Sequence, residues 1–195
     1  MVQTHQHFDS GQVIFNEGAG SSYVAVIQSG AIKRMRGDRI VGLALPGDYI
    51  GLSCLYSGHQ VDTAIALERS RVCRLDSKTA LRQNPHSAKL LAKEMEQQRW
   101  HLALQNLPAV QRVAGWLVQL SKHHQARGLS ATHMRLPLNR TDMANYLGLA
   151  LETGSRLISD LNRRGVIQVQ ARQLAILDSA ALTKLEVEGQ SEQVS

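Results

Sequence analysis

Residues Arg140–Leu157 read Arg-Thr-Asp-Met-Ala-Asn-Tyr-Leu-Gly-Leu-Ala-Leu-Glu-Thr-Gly-Ser-Arg-Leu, which is the spacing of a helix, a tight turn and a second helix. Met143, Leu147, Leu149 and Leu157 fall at the positions such a unit buries. Ala144 is small where two helices must cross, and Gly148 stands where the chain needs a positive φ to turn. On the second helix Glu152, Ser155, Arg156 and Ser159 fall at i, i+3, i+4 and i+7 and share one face. Polar and mostly short-chained, that face suits the base edges of a DNA groove better than a core.

The flanks agree with this reading. Asn139 is an N-cap residue with Asp142 three positions on, and Gly165 closes the second helix as a C′ glycine. Val166–Val169 and Leu174–Leu177 alternate around Ala171-Arg172-Gln173, the pattern of a two-stranded wing. Upstream, Pro108 opens a helix whose stripe is Val110, Val113, Ala114, Leu117 and Val118. It ends near His123-His124, placed to interact with the helix dipole, and a loop at Gly128 follows. Arg135–Leu138 has the composition of a short strand, and the last dozen residues are polar and acidic enough to fray.

Charge follows the same division. Residues 110–173 carry nine Lys/Arg against three acids, residues 1–109 twelve against nine, and the tail after Gln173 one against four. Positive charge thus concentrates around the helix-turn-helix, where phosphates must be neutralised. Arg140, Thr141, Ser159, Arg163, Arg164 and the wing residue Arg172 are the expected backbone contacts, which add affinity without sequence information. No apolar run reaches membrane-spanning length, and no basic segment precedes an apolar one at the N-terminus. A cytoplasmic protein with no membrane partner is expected.

Residues 8–76 read as β structure. Short runs at Val13–Phe15, Tyr23–Ile27, Ala31–Met35, Ile40–Leu45, Thr63–Leu67 and Arg71–Leu75 are separated by glycine-containing turns, as in a small barrel or roll. After a break at Asn84-Pro85, no Gly or Pro intervenes up to Leu107. Leu91, Met95, Gln98 and Leu102 recur at heptad-like steps there, the pattern of a dimer helix with a polar residue setting register. A single amphipathic helix packed on its own domain is the competing reading. The expected architecture is α+β in three parts: an antiparallel β-roll over 1–84, a dimerisation helix over 85–107 and a winged helix-turn-helix over 108–195.

Together these parts resemble the Crp/Fnr family of bacterial transcription regulators over nearly the whole chain, from about Phe8 to Leu182. The resemblance is strongest in Thr141–Leu161 and leans towards the FNR branch. In the roll, Gly30-Ala-Ile-Lys33, Pro46-Gly-Asp48, Ser57-Gly-His59 and Val72-Cys73 stand where that branch's motifs would. It implies a homodimer on an inverted pair of TTGAT-like half-sites in promoter DNA, with RNA polymerase as a further partner. The pattern Glu-x-x-Ser-Arg assigns base contacts to Glu152, Ser155 and Arg156. These roles suit the side chains: Arg156 can donate twice to guanine, Glu152 can accept from cytosine N4, and Ser155 can meet a thymine edge. The competing use of Arg156 is an ion pair with Asp160 one turn on. Gly154 departs from the family, which usually places a branched apolar residue there; it costs about 1 kcal/mol in helix propensity relative to Ala.

The same resemblance shapes expectations for the sensor half. Cyclic-nucleotide-binding members carry a Gly-Glu pair for the ribose and an Arg for the phosphate. Here Gly51 precedes Leu52, and Asp62 stands near the Arg position, where it would repel a phosphate. Cluster-binding members use four cysteines, three of them in an N-terminal segment not found in this sequence, so neither cofactor is expected. Of the two cysteines, Cys73 stands where the fourth ligand would be. Cys54 and Cys73 are the candidate redox pair if their strands lie side by side, and buried inert thiols are the alternative. His5, His7, His59 and Cys54 lack the convergent spacing of metal or haem ligands, so no metal is assigned. A roll-bound effector is another way to switch such a regulator. The rival from another class is a cupin-type barrel enzyme. Between Val24 and Leu75 it would have one His and one Glu with which to hold its metal, so no catalytic residue is assigned.

Overall fold

The computed structural model describes residues 4–76 and 87–188, which form two compact units, one ending at His101 and one starting at Leu102. The expected boundary at 84/85 and the break at Asn84-Pro85 lie outside the described residues.

The first unit is built on two four-stranded antiparallel sheets. One has the order β1 (Thr4–Phe8), β8 (Ser70–Asp76), β3 (Tyr23–Ser29), β6 (Tyr49–Ile50). The other runs β2 (Val13–Phe15), β7 (Thr63–Ala66), β4 (Ile32–Arg36), β5 (Arg39–Ala44). The core follows the two-residue strand period: Ala25 and Ile27 face inward opposite Ile50 and Val72 and meet Ile14, Ile32 and Ala64. At Gly30 the chain turns at φ 89°, and a Cβ there would lie 2.7 Å from the Ser70 backbone, so only glycine fits.

Three elements escape the sequence pattern. Strand β1 precedes the first expected strand, Val13–Phe15, and β6 is only two residues long. Cys54–Ser57 forms a short helix, α1, where a strand was needed for a cysteine pair. Helix α2 (Ser87–Leu104) then follows. It ends three residues before the expected Leu107.

In the second unit α3 (Ala109–Ala126) is more than an amphipathic helix. Gln111, Trp116 and Leu120 are buried as well as the expected stripe, which makes α3 the central support of the unit. His124, in its last turn, departs from the dipole expectation. Burial, helped by His123 and Arg127, lowers its pKa and favours the neutral ring. Strand β9 is His133–Arg135, two residues earlier than expected. Pairing of Met134 with Leu174 sets its register, while Leu136 and Leu138 are buried outside it. Next come α4 (Arg140–Leu147), α5 (Leu151–Arg163), β10 (Ile167–Gln170) and β11 (Gln173–Ile176), in a sheet of order β10-β11-β9. The segment expected to fray instead begins inside α6 (Ser179–Glu188). Leu182 and Leu185 are buried, α6 packs on α3, and Gln111 Nε2 donates to the Val187 carbonyl at 3.1 Å. Among the described residues no helix is long and apolar enough to cross a membrane.

Candidate nucleic-acid interface

The turn between α4 and α5 is assembled by short-range bonds the sequence encodes. Asn139 Oδ1 accepts from the Asp142 N–H at 2.7 Å, satisfying one donor of the first turn of α4. At the other end Gly148 sits at φ 64°. Its N–H donates to the Asn145 carbonyl, and the Leu149 N–H donates to Ala144. Gly165 ends α5 in the same way at φ 70°.

The buried set differs in part from expectation. Met143, Ala144 and Leu147 are buried, but Leu149 and Leu157 are only half-buried; Tyr146, Ile158 and Leu161 fill the core instead. The reason lies in Gly154. It is buried against α4, where an added Cβ would stand 3.1 Å from Met143 Cε and 3.5 Å from Ala144 Cβ. Close approach centres the contact face of α5 on Gly154, Ile158 and Leu161, and Leu157 moves to its edge.

Opposite that face, Glu152, Arg156 and Ser159 are exposed and Ser155 is half-buried. The carboxylate of Asp160 is taken by Arg163 and, at 3.9 Å, by Arg164. Among the described residues Arg156 forms no ion pair with it. Ser159 Oγ donates to the Ser155 carbonyl at 3.0 Å, leaving the hydroxyl oxygen as an acceptor. Thr141 is exposed at the start of α4. Arg140, beside it, is half-buried; burial lowers its pKa, and its Nη1 has no hydrogen-bond partner among the described residues.

Arg172 is placed differently from the expected phosphate clamp. Its Nε donates to the Leu136 carbonyl at 3.0 Å and its Nη2 to Pro137, so it fastens the wing to the loop before α4. The wing turns at Ala171 with φ 55°, an unusual conformation for a residue with a Cβ. A second arginine, missed in the sequence, does similar work. Arg112 on α3 donates from Nη1 to the carbonyls of Leu147 and Gly148, at 3.1 and 3.0 Å, and from Nε to Leu107 at 2.7 Å. It thereby holds the turn from behind. Its one signal in the sequence is a cation set among the apolar residues of α3.

In the first unit, Cys54 and Cys73 are both buried and free. Cys54 lies on α1, where its thiol donates to the Tyr23 carbonyl at 3.2 Å and burial raises its pKa; Cys73 lies on β8 opposite His5 and Val26. They are not on neighbouring strands, so the strand-paired redox switch is not formed. His5 Nδ1 pairs with Gln28 and His59 Nδ1 with the Ser57 carbonyl. Among the described residues no three His, Cys, Asp or Glu side chains are grouped to hold a metal. Leu91, Met95, Gln98 and Leu102 are exposed along α2.

Comparison with known proteins agrees with this geometry. Residues 111–185 match the family model of the Crp-like helix-turn-helix domain, and residues 5–83 that of the cyclic nucleotide-binding domain. The chain is 32% identical to the transcriptional activator protein FnrA of Stutzerimonas stutzeri, over 95% of this chain and 81% of that protein. It is also 32% identical to the fumarate and nitrate reduction regulatory protein of Salmonella typhi, over 95% and 79%. The structure of FixK2 from Bradyrhizobium japonicum superposes with a TM-score of 0.84 at 25% identity, covering both chains fully. The two relatives at 32% identity are regulators rather than enzymes, which removes the cupin-type reading. The chain is a DNA-binding transcription regulator and belongs to the Crp/Fnr family.

Proposed function

We propose that two copies of this chain bind an inverted pair of TTGAT-like half-sites in promoter DNA. The exposed face of α5 carries the reading: Glu152 and Arg156 are open to a groove while Asp160 is held by Arg163 and Arg164. Arg156 donates to guanine O6 and N7, Glu152 accepts from cytosine N4, and Ser155 meets a thymine. Thr141, Arg163 and Arg164, with Arg140 and the Ser159 oxygen, face phosphates. The second copy packs along Leu91, Met95, Gln98 and Leu102, setting two α5 helices one DNA turn (about 34 Å) apart. RNA polymerase is the further partner, in the cytoplasm.

The reading includes binding without cyclic nucleotide or iron–sulfur cluster. Asp62 is buried and pairs with Arg34 at 3.2 Å, so a phosphate brought there would meet a carboxylate whose cation is already engaged. The two thiols do not fit a cluster held by four thiolates. The test is selection of bound DNA from a random pool, with reduced and oxidised protein. A two-fold symmetric site recovered equally from both, with affinity falling steeply with salt and lost in Arg156→Ala, is the expected result. Sequence-independent binding overturns the reading of the face. A site recovered in only one redox state overturns the unswitched reading.

A further inference from the structure

Arg34 is set into the roll by its neighbours. On β4 it pairs with Gly42 of β5 and Ala64 of β7. A Cβ on Gly42 would fall 2.7 Å from Arg34 Nε and 3.1 Å from Cζ, so the missing side chain on β5 is the floor on which the guanidinium lies. From there Nε faces Asp62 Oδ2 at 3.2 Å, and Nη1 donates to Glu94 Oε1 of α2 at 2.5 Å. The side chains of Arg34, Asp62 and Glu94 are only 13%, 7% and 13% exposed. The same Glu94 Oε1 accepts from Gln98 Nε2 at 2.8 Å. A chain of polar contacts thus runs from buried Asp62, through Arg34 and Glu94, to an exposed amide on α2.

A second tie lies one step along the helix, where Gln97 Nε2 donates to Asp48 Oδ1 at 3.3 Å. Asp48 is itself oriented by accepting from the Leu45 N–H at 2.9 Å. Glu94, Gln97 and His101 therefore mark the roll-facing side of α2, and Leu91, Met95, Gln98 and Leu102 its exposed side. Without Arg34, two buried carboxylates would lack their shared cation. Glu94 would turn to solvent and release Gln98.

We propose that Arg34 is a positioning residue for assembly: it fixes α2 on the roll and, through Glu94, orients the Gln98 amide presented to a second copy. The inference rests on the dimer reading above and adds what holds the dimer face in place. Gln98 donates inward to Glu94, so its carbonyl is the group offered outward, an acceptor for a donor on the partner copy.

The experiment measures, in the full chain, the dimer dissociation constant by sedimentation and the hydrogen exchange of α2 amides. Arg34→Met raises the constant about tenfold and speeds α2 exchange, and Arg34→Met combined with Gln98→Ala does no more than Arg34→Met alone, since coupled residues are non-additive. Equal constants and equal exchange in Arg34→Met and wild type overturn the proposal, as do losses from Arg34→Met and Gln98→Ala that multiply. If Arg34→Met does not fold, Glu94→Gln decides. It keeps the acceptor for Gln98 but weakens the hold of Arg34, and a constant and exchange rate equal to wild type overturn the proposal. A wild-type chain that stays monomeric removes the dimer reading. Exchange of α2 then judges Arg34 alone: faster in the variant supports the tie, unchanged overturns it.

Discussion

Asp160 on α5 and Asp62 in the roll are both aspartates paired with arginine, yet they do opposite things. The arginines at Asp160 are 78% and 44% exposed, whereas Arg34 and both its carboxylates lie below 15%. At Asp160, charge stays at the surface, in pairs that are weak individually and easily exchanged for phosphates. At Asp62, charge is consumed internally to hold a helix. The contrast separates charges that meet a partner from charges that place an element.

The largest expected effect breaks the buried side of this contrast. Arg34→Met leaves two carboxylates without their cation and should destabilise the first unit by about 3 kcal/mol, read by urea unfolding. A loss below about 1 kcal/mol would mean the cluster behaves like a surface pair.

Next comes His101, buried on α2, whose pKa is lowered from 6.5 to about 4 by burial and then by Arg39 and Arg34. A lowered folded pKa means that its contribution is present above pH 6.5 and is lost as pH falls through about 4. About 3 kcal/mol is at stake across that window. Asp62 works in the opposite sense, because burial raises its pKa above 3.8 and its contribution is lost as pH rises. Comparing His101→Gln with wild type at pH 7.5 and 4.5 isolates the histidine. The variant should lose less stability on acidification, and an equal loss would show that His101 charges freely.

A smaller effect belongs to the α4–α5 crossing. Gly154→Val puts branches against Met143 and Ala144 and should cost about 1–3 kcal/mol. In Gly154→Ala the helix gains about 1 kcal/mol, which offsets the 3.1 Å approach to the movable end of Met143 and leaves stability near wild type. Thermal unfolding of the two variants distinguishes a crossing that needs glycine from one that merely tolerates it. The smallest effect is at the surface. Arg163→Ala should shift stability by less than about 0.5 kcal/mol while lowering DNA affinity at every sequence alike. A sequence-dependent loss in a binding titration would make Arg163 a base reader.

How far the interface was legible follows from the range of the interactions involved. Asn139, Gly148 and Gly165 act on backbone groups within a few residues, so their roles were visible as spacing. The exposed face of α5 was also visible, because helix period alone groups Glu152, Arg156 and Ser159. The contact face was misplaced by a fraction of a turn. Helix period cannot say how closely α4 approaches, and that distance puts Gly154 at the centre. Arg172 and Arg112 were opaque for a related reason: the Leu136 and Pro137 carbonyls that Arg172 meets, and the Leu147 and Gly148 carbonyls that Arg112 meets, lie 35 or more residues away and could come from any residue type. Cys54 and Cys73 looked like a strand pair until α1 placed one of them on a helix.

By itself, the sequence determined a β-roll, an intervening helix and a winged helix-turn-helix with Glu152 and Arg156 exposed. Local capping, glycine turns and side-chain period specify these with no knowledge of distant contacts. Only the tertiary structure decided what the remaining charges do. It turned Arg172 and Arg112 towards carbonyls and laid Arg34 over Gly42, between Asp62 and Glu94. The physical reason is that a charged side chain carries the same sign wherever it stands, and only its burial and its neighbours decide whether it reads a partner or holds a helix in place.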